Sequence, residues 1–228
     1  MQKYSVFSLI KNAFSNHQNW EVAWKDPTPK SEYDVVIIGG GGHGLATAYY
    51  LAKEHNIRNV AIIEKGWIGG GNVGRNTTII RSNFMYDANA RFNEFGMDLW
   101  RNLSQELNFN VMFSPRGIIN LAHSDAQMNA YARRGNSMRL NGIDAKLLDR
   151  DEVKKLIPMA DFSDEVRFPI FGGLMQPSAG TARHDAVAWG YARQADDMGV
   201  DIIQHCEVTG FDVVNGKIKG IRTSRGDI

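Results

Sequence analysis

The sequence predicts an α/β fold of Rossmann-like type, and three features of residues 34–64 predict it. The first is a buried apolar run, Asp34-Val-Val-Ile-Ile38, that reads as a strand. The second is a glycine-rich turn opening a helix-like stretch, in which Gly39, Gly41 and Gly44 fit G-x-G-x-x-G and Gly42 and His43 fill the variable places. The third is a second apolar run, Val60–Ile63, closed by Glu64, an acid 20 positions after Gly44. Each part has a mechanical reason. Gly39 turns the chain sharply off the strand, Gly41 lets a pyrophosphate approach the backbone, and Gly44 lets helix and strand pack closely. The helix start offers free N–H groups and a positive dipole end to phosphates, and Glu64 can accept hydrogen bonds from a ribose diol. A bare glycine turn would not bring all these parts together, so a bound dinucleotide is expected.

The other elements follow in chain order. Val6 to Phe14 has helical spacing and predicts a short leading helix. The polar stretch after it, with Pro27 and Pro29, leads to the first strand. This extension, with Trp20 and Trp24, can cap its own domain or dock on another chain. Residues 65–78 read as a long non-periodic loop rich in glycine, and loops of that length in compact domains are usually functional. Asp87 to Leu107 predicts a helix with Phe92, Phe95, Leu99, Trp100 and Leu103 on its apolar face. Gly117 to Ala122 predicts a strand, Asp125 to Leu140 and Asp149 to Ile157 helices, and Phe168 to Met175 a further strand. His184 to Met198 predicts a helix stopped by Gly199, and Asp201 to Ile221 two or three strands with Asn215-Gly216 as a tight hairpin turn. The resulting division is 1–32 for helix and linker, 33–85 for the first part of the nucleotide domain, 86–180 for a mixed helical and substrate segment, and 181–228 for a return to the nucleotide domain. The sequence stops one residue into what reads as another strand, so the sheet is expected to be incomplete and this stretch inactive alone.

Composition bounds the partners. Lys plus Arg is 26 and Asp plus Glu is 25, which points away from nucleic acid and from a charged membrane surface. The single cysteine, Cys206, allows no internal disulfide and fits a reducing, cytoplasmic compartment as a buried thiol. Val35 to Ala52 lacks charged residues, but its five glycines, histidine and strand-to-helix switch argue against a membrane span. The N-terminal stretch has no cleavage-site pattern of a signal peptide. His17, His55, His123 and His205 share no metal-ligand spacing, and no metal is expected.

The loop after Glu64 bears on which dinucleotide is held. From Lys65 through Gly70, Gly71, Arg75, Asn76, Thr77 and Thr78 it carries bare backbone and small polar groups. These suit a flavin with its long ribityl and pyrophosphate chain better than a nicotinamide cofactor. Three long segments then become specific: residues 39–52 from the glycine turn, residues 64–83 from Glu64 to Asn83, and residues 176–189 from Gln176 to Trp189. They resemble the beta subunit of heterotetrameric sarcosine oxidase, in the wider family of FAD-dependent amine and amino-acid oxidases. The resemblance implies an FAD-binding domain of the glutathione-reductase and D-amino-acid-oxidase type, with an inserted α+β substrate domain.

The resemblance also implies chemistry. FAD is held non-covalently, sarcosine is oxidised to glycine and formaldehyde or a folate-bound one-carbon unit, and electrons pass from FAD to FMN to oxygen, giving hydrogen peroxide. Partners would be alpha, gamma and delta subunits and a small-molecule amine. A covalent FMN is implied at His184, where the residues alone would read as a helix start with Asp185 near its positive end. Arg81, in Ile79-Ile80-Arg81, is implied as the substrate carboxylate ligand at the catalytic site, whereas a structural ion pair is its ordinary reading. Arg75 reads as a loop anchor or flavin contact, and His43 as a cofactor-tuning group or a turn histidine. The alternatives are another flavin enzyme for dimethylglycine, a D-amino acid or glycerol 3-phosphate, a flavin-free NAD-dependent dehydrogenase, and an assembly subunit without turnover.

Overall fold

The computed structural model describes residues 5–18 and 22–228, so Trp20 lies outside the described residues. The chain forms two compact units. The first comprises Met1–Thr77, Ser104–Val111 and Arg183–Ile228, and the second Thr78–Leu103 and Met112–Ala182.

In the first unit, helix α1 (Val6–Phe14) begins on Ser5, whose hydroxyl accepts the Ser8 N–H. Phe7 and Phe14 are 82% and 90% exposed, so this helix adds little to the core. A parallel sheet is built from β1 (Val35–Ile38), β2 (Val60–Ile63) and β8 (Asp201–Ile203), in the order β1-β2-β8. Every residue of β2 is buried, as its unbroken aliphatic sequence requires of a central parallel strand. Burial of its large side chains, Val60, Ile62 and Ile63, contributes roughly 1.5–3 kcal/mol each to the unit's core. Between β1 and β2 runs α2 (Gly42–His55), which ends on Asn56 in the left-handed conformation. It packs on α6 (His184–Asp197), and Tyr49 and Tyr191 lie with ring centroids 5.5 Å apart. Glu106 accepts from the Tyr49 hydroxyl at 3.0 Å and from Lys53 at 2.8 Å. Gly190 belongs to the same arrangement, since a Cβ there would lie 3.0 Å from Leu107. The stretch after β8 is the hairpin β9 (Val208–Val214) and β10 (Lys217–Thr223). Its turn holds Asn215 at φ 52° and Gly216 at φ 73°, the paired positive angles that twist-matched two-residue hairpins need. Ile228 exchanges both backbone hydrogen bonds with Ile221.

The second unit is α+β. A ribbon pairs β3 (Ile79–Ile80) with β7 (Gly180–Thr181), and an antiparallel sheet runs β4-β6-β5, with β4 at Ile118–Ala122, β5 at Lys146–Asp149 and β6 at Gly172–Gln176. Its helices are α3 (Asp87–Glu106, whose last residues lie in the first unit), α4 (Asp125–Leu140) and α5 (Arg150–Leu156).

Several expectations need correction. The strand expected from Phe168 begins only at Gly172, and β3, β5 and β7 were not foreseen. Helix α5 starts at Arg150 because Asp149 and Glu152 form a reciprocal capping box around its first turn. On α3 the buried residues are Ala90, Met97 and Leu103, whereas Phe92 and Phe95 are 76% and 65% exposed. Leu103 is buried as the apolar spacing predicts, but the two phenylalanines of the same predicted face are not.

Candidate functional site: a glycine cradle

Strand β1 delivers the chain to Gly39, whose φ of +109° only glycine adopts without strain, and whose N–H donates to the Ile63 carbonyl at 2.8 Å. At Gly44 a Cβ would lie 2.1 Å from the Gly39 carbonyl oxygen, so the helix can leave the strand so closely only with glycine there. Gly41 is different. It caps α2 at φ −83°, an angle any residue adopts, and a Cβ there would meet nothing nearer than Val73 Cγ2 at 4.0 Å. Neither backbone angle nor packing within the protein requires a glycine at Gly41. No side chain caps α2, so the first N–H groups of the helix are left for a ligand. Gly42 is held over Val73, 3.1 Å from a built Cβ, and His43 is exposed on the same first turn.

Glu64 locks this turn to the next one. Its Oε2 accepts the Gly40 N–H and its Oε1 the Gly66 N–H, both at 2.8 Å. The Gly69 N–H then donates to the Gly40 carbonyl at 3.0 Å, tying the following loop to the first glycine turn. That loop is less irregular than its sequence suggests. Gly71 opens a 3-10 turn over Asn72–Arg75, stabilised by Asn76 Nδ2 donating to the Val73 carbonyl at 2.8 Å. Lys65, Arg75 and Thr77 are exposed around it, and Gly70 packs on the Trp67 ring. Side chains at Gly39 and Gly71 would meet nothing within 4 Å. Helix α6 packs on the 3-10 turn, with Ala188 Cβ 3.5 Å from a Cβ built at Gly69.

His184 is the first residue of α6, and its buried Nδ1 has no hydrogen-bond partner. Beside it Asp185 accepts from Arg183 Nε and Nη2 at 2.9 and 3.1 Å. Burial raises the Asp185 pKa, but the hydrogen bonds from Arg183 and the Ala186 N–H outweigh it, and the net shift is downward.

The first unit thus brings together Gly39 to Gly44, Glu64, the loop to Thr77 and His184. Thr78 and Arg81 belong to the second unit. Thr78 adopts φ +60° and its carbonyl accepts the Ala182 N–H at 3.0 Å. Arg81 Nη1 donates to Asn83 Oδ1, and the guanidinium lies 4.8 Å from the Phe84 ring centroid. The structural ion pair that is the ordinary reading of such an arginine is not formed among the described residues. Sequence reasoning missed Val73 beneath the glycine turn and the amides of Gly40 and Gly66 that Glu64 holds. Glu64's place after Gly40 and before Gly66 was a usable signal for the latter. Among the described residues there is no cluster of metal-ligating side chains, and no helix is long and apolar enough to cross a membrane.

An open glycine turn at an uncapped helix start, closed by an acid and roofed by a second glycine loop, defines a dinucleotide-binding domain of Rossmann type. Residues 34–228 match the family described as FAD dependent oxidoreductase, and the chain belongs to that family. It is 61% identical over 226 residues to a sarcosine oxidase subunit beta of Rhizobium meliloti, covering 99% of this chain and 54% of the relative. A subunit of the same name from Rhodobacter capsulatus is 52% identical over 228 residues, 100% of this chain and 55% of the relative. Among solved structures, L-proline dehydrogenase from P. horikoshii superposes with TM-score 0.79 at 30% identity, over 88% of this chain and 51% of the other. Glycine oxidase from Bacillus cereus gives TM-score 0.75 at 24% identity, over 86% and 53%, a likeness of fold. The chain spans about half the length of the relatives it matches. Its residues fit FAD, because the open faces of Gly39, Gly41 and Gly71 are cradle positions that a side chain would fill.

Proposed function

We propose that this chain forms the FAD-binding part of a sarcosine oxidase beta subunit, working in the cytoplasm with alpha, gamma and delta subunits. The reaction is oxidation of N-methylglycine to glycine and formaldehyde, or to a folate-bound one-carbon unit, with hydrogen peroxide as the reduced product of oxygen. The observation that carries the reading is the 61% identity to a sarcosine oxidase subunit beta across 99% of the chain, in company with an open FAD cradle. Bound FAD would supply the two-electron acceptor, and a second flavin, FMN, the route from FAD to oxygen.

The chain's own residues then have distinct tasks. The N–H groups at Gly41, Gly42 and His43 hold the pyrophosphate. Glu64, with each oxygen already accepting one amide, keeps further lone pairs for ribose hydroxyls. Gly70, Gly71, Asn76 and Thr77 line the cofactor with small groups. Arg81 pairs with the substrate carboxylate in the bidentate geometry that guanidinium favours. His184 is the attachment point for FMN. An imidazole nitrogen that the protein leaves unsatisfied is chemically suited to that bond, and Nδ1 is buried without a partner.

The experiment uses the full-length reading frame co-expressed with its alpha partner. The purified complex is denatured in acid, its chains are separated on a gel, and each is viewed for flavin fluorescence. A fluorescent beta band, with the mass of FMN added to the peptide containing His184, is expected. A dark band with free FAD in the supernatant would leave an FAD enzyme of another kind, such as one acting on dimethylglycine or a D-amino acid. Absence of flavin from both fractions would sink the reading.

A further inference from the structure

The second unit contains a buried polar cluster that takes no part in the nucleotide cradle. Its hub is Asn83, which is fully buried. The side-chain oxygen of Asn83 accepts from Arg81 Nη1, and its Nδ2 donates to Asn120 Oδ1 on β4 at 2.7 Å. Its backbone carbonyl accepts from Arg134 on α4, through Nε at 2.9 Å and also through Nη2. The residue before it is fixed as firmly. Gln176, also fully buried, accepts the Ser82 N–H at 3.0 Å and donates to the Ser82 hydroxyl at 2.7 Å, and that hydroxyl donates to Glu94. One asparagine on a pinned backbone therefore holds two guanidinium groups.

Those two cations are short of negative charge. Neither Arg81 nor Arg134 forms an ion pair among the described residues. Burial lowers the Arg134 pKa, and the charge of Arg81 lowers it further. Gathering like charges in a half-buried place costs free energy unless an anion completes the group. The neutral amide of Asn83 matters here. It accepts a hydrogen bond from Arg81 without cancelling its charge, whereas an aspartate in its place would neutralise Arg81 and compete with any incoming carboxylate.

We propose that Asn83 is a positioning residue that aims Arg81, and that Arg134 is a second cation of the same carboxylate-recognising site. The inference rests on the reading of Arg81 given above and extends it from one residue to a built pair. It also predicts selectivity: the site prefers an amine bearing a carboxylate over an otherwise similar uncharged amine.

The test uses the full-length, flavin-loaded complex. KM and kcat are measured with sarcosine, and acetate is titrated as an unreactive carboxylate while flavin absorbance reports binding. Arg134→Gln should raise both KM and the acetate Kd about threefold to tenfold, and raise KM more than it lowers kcat. Arg134→Lys should recover most of the loss, because it restores the charge. Asn83→Asp should weaken acetate by about tenfold or more, through a new carboxylate beside Arg81. If Asn83→Asp does not fold, the Arg134 pair of variants decides. Unchanged KM and acetate Kd in Arg134→Gln, with both raised in Arg81→Gln, would overturn the second-cation inference while leaving the carboxylate reading of Arg81 in place. If Arg81→Gln also changes nothing, the carboxylate reading of Arg81 fails with it. A fall in kcat or thermal stability at constant KM would mark Arg134 as merely structural and overturn the proposal.

Discussion

The glycine cradle of the first unit and the asparagine hub of the second solve similar problems with different materials. In the cradle, the groups offered to a ligand are backbone N–H groups, and the residues that shape it fall in two short stretches, Gly39 to Gly44 and Glu64 to Thr77. In the hub, they are guanidinium side chains from Arg81 and Arg134, held by an asparagine that also reaches Asn120. Backbone-built sites constrain residue size, whereas side-chain-built sites constrain polar pairing. Substitutions in the two regions should therefore fail in different ways.

The largest expected effect separates two glycines of one motif. Gly44→Ala would push a methyl to 2.1 Å from the Gly39 carbonyl oxygen, so backbone must move, at a cost of roughly 3 kcal/mol or more. The full-length protein should lose both its flavin and several degrees of melting temperature. Gly41→Ala meets only open space, and its stability cost without flavin should stay within about 1 kcal/mol. It should nevertheless weaken FAD by about tenfold or more, because the methyl occupies the approach of the pyrophosphate. Melting the flavin-free and flavin-loaded forms of each variant checks this. Equal behaviour of the two variants would break the claim that Gly41 is glycine for the ligand's sake.

Next come the two side chains that hold distant backbone. Glu64→Gln replaces one of two acceptor oxygens with a donor that faces an amide N–H, either at Gly40 or at Gly66. Gln176→Leu leaves the Ser82 N–H buried and unpaired. Each should cost about 1–3 kcal/mol, read as a shift in the urea midpoint. They part company on ligands. Glu64→Gln should lower FAD affinity, and Gln176→Leu should leave FAD affinity unchanged while loosening acetate.

That contrast also explains what was legible in the sequence. Gly39, Gly44 and Glu64 could be placed because their constraints are local: a turn off a strand, a helix crossing close by, and an acid at the next strand's end. Asn215-Gly216 was legible for the same reason, and Gly216→Ala should cost only about 1 kcal/mol at φ +73°. The hub was not. Arg81, Asn120, Arg134 and Gln176 are scattered over nearly a hundred positions, and no periodicity links them before the sheet β4-β6-β5 and α4 are folded. The short strands β3 and β7 were missed likewise, since two residues carry no alternation pattern and the ribbon exists only through its pairing. The exposed Phe92 and Phe95 show the converse failure, in which a clear apolar rhythm that places Leu103 correctly also assigns to the core two side chains that lie outside it.

The smallest effect tests side chains that are both local and solvent-facing. Arg183 and Asp185 flank His184 at the start of α6, and their side chains pair across it. Asp185 is held below the usual carboxylate range: burial alone would raise it, but Arg183 and the Ala186 N–H win. A depressed carboxylate pKa contributes stability that is present above the unfolded-state value and is lost as pH falls through the folded-state value. Asp185→Asn should therefore cost something at pH 7 and nothing at the acid end, the gap closing below about pH 4, near the ordinary aspartate value. Arg183 is 60% exposed, so solvent screening limits the whole contribution to about 0.5 kcal/mol or less. Melting temperatures of wild type and Asp185→Asn across that pH range check the sign. A gap that widened on acidification would mean that the Asp185 pKa is raised rather than lowered, and that burial rather than the Arg183 pair governs the helix start beside His184.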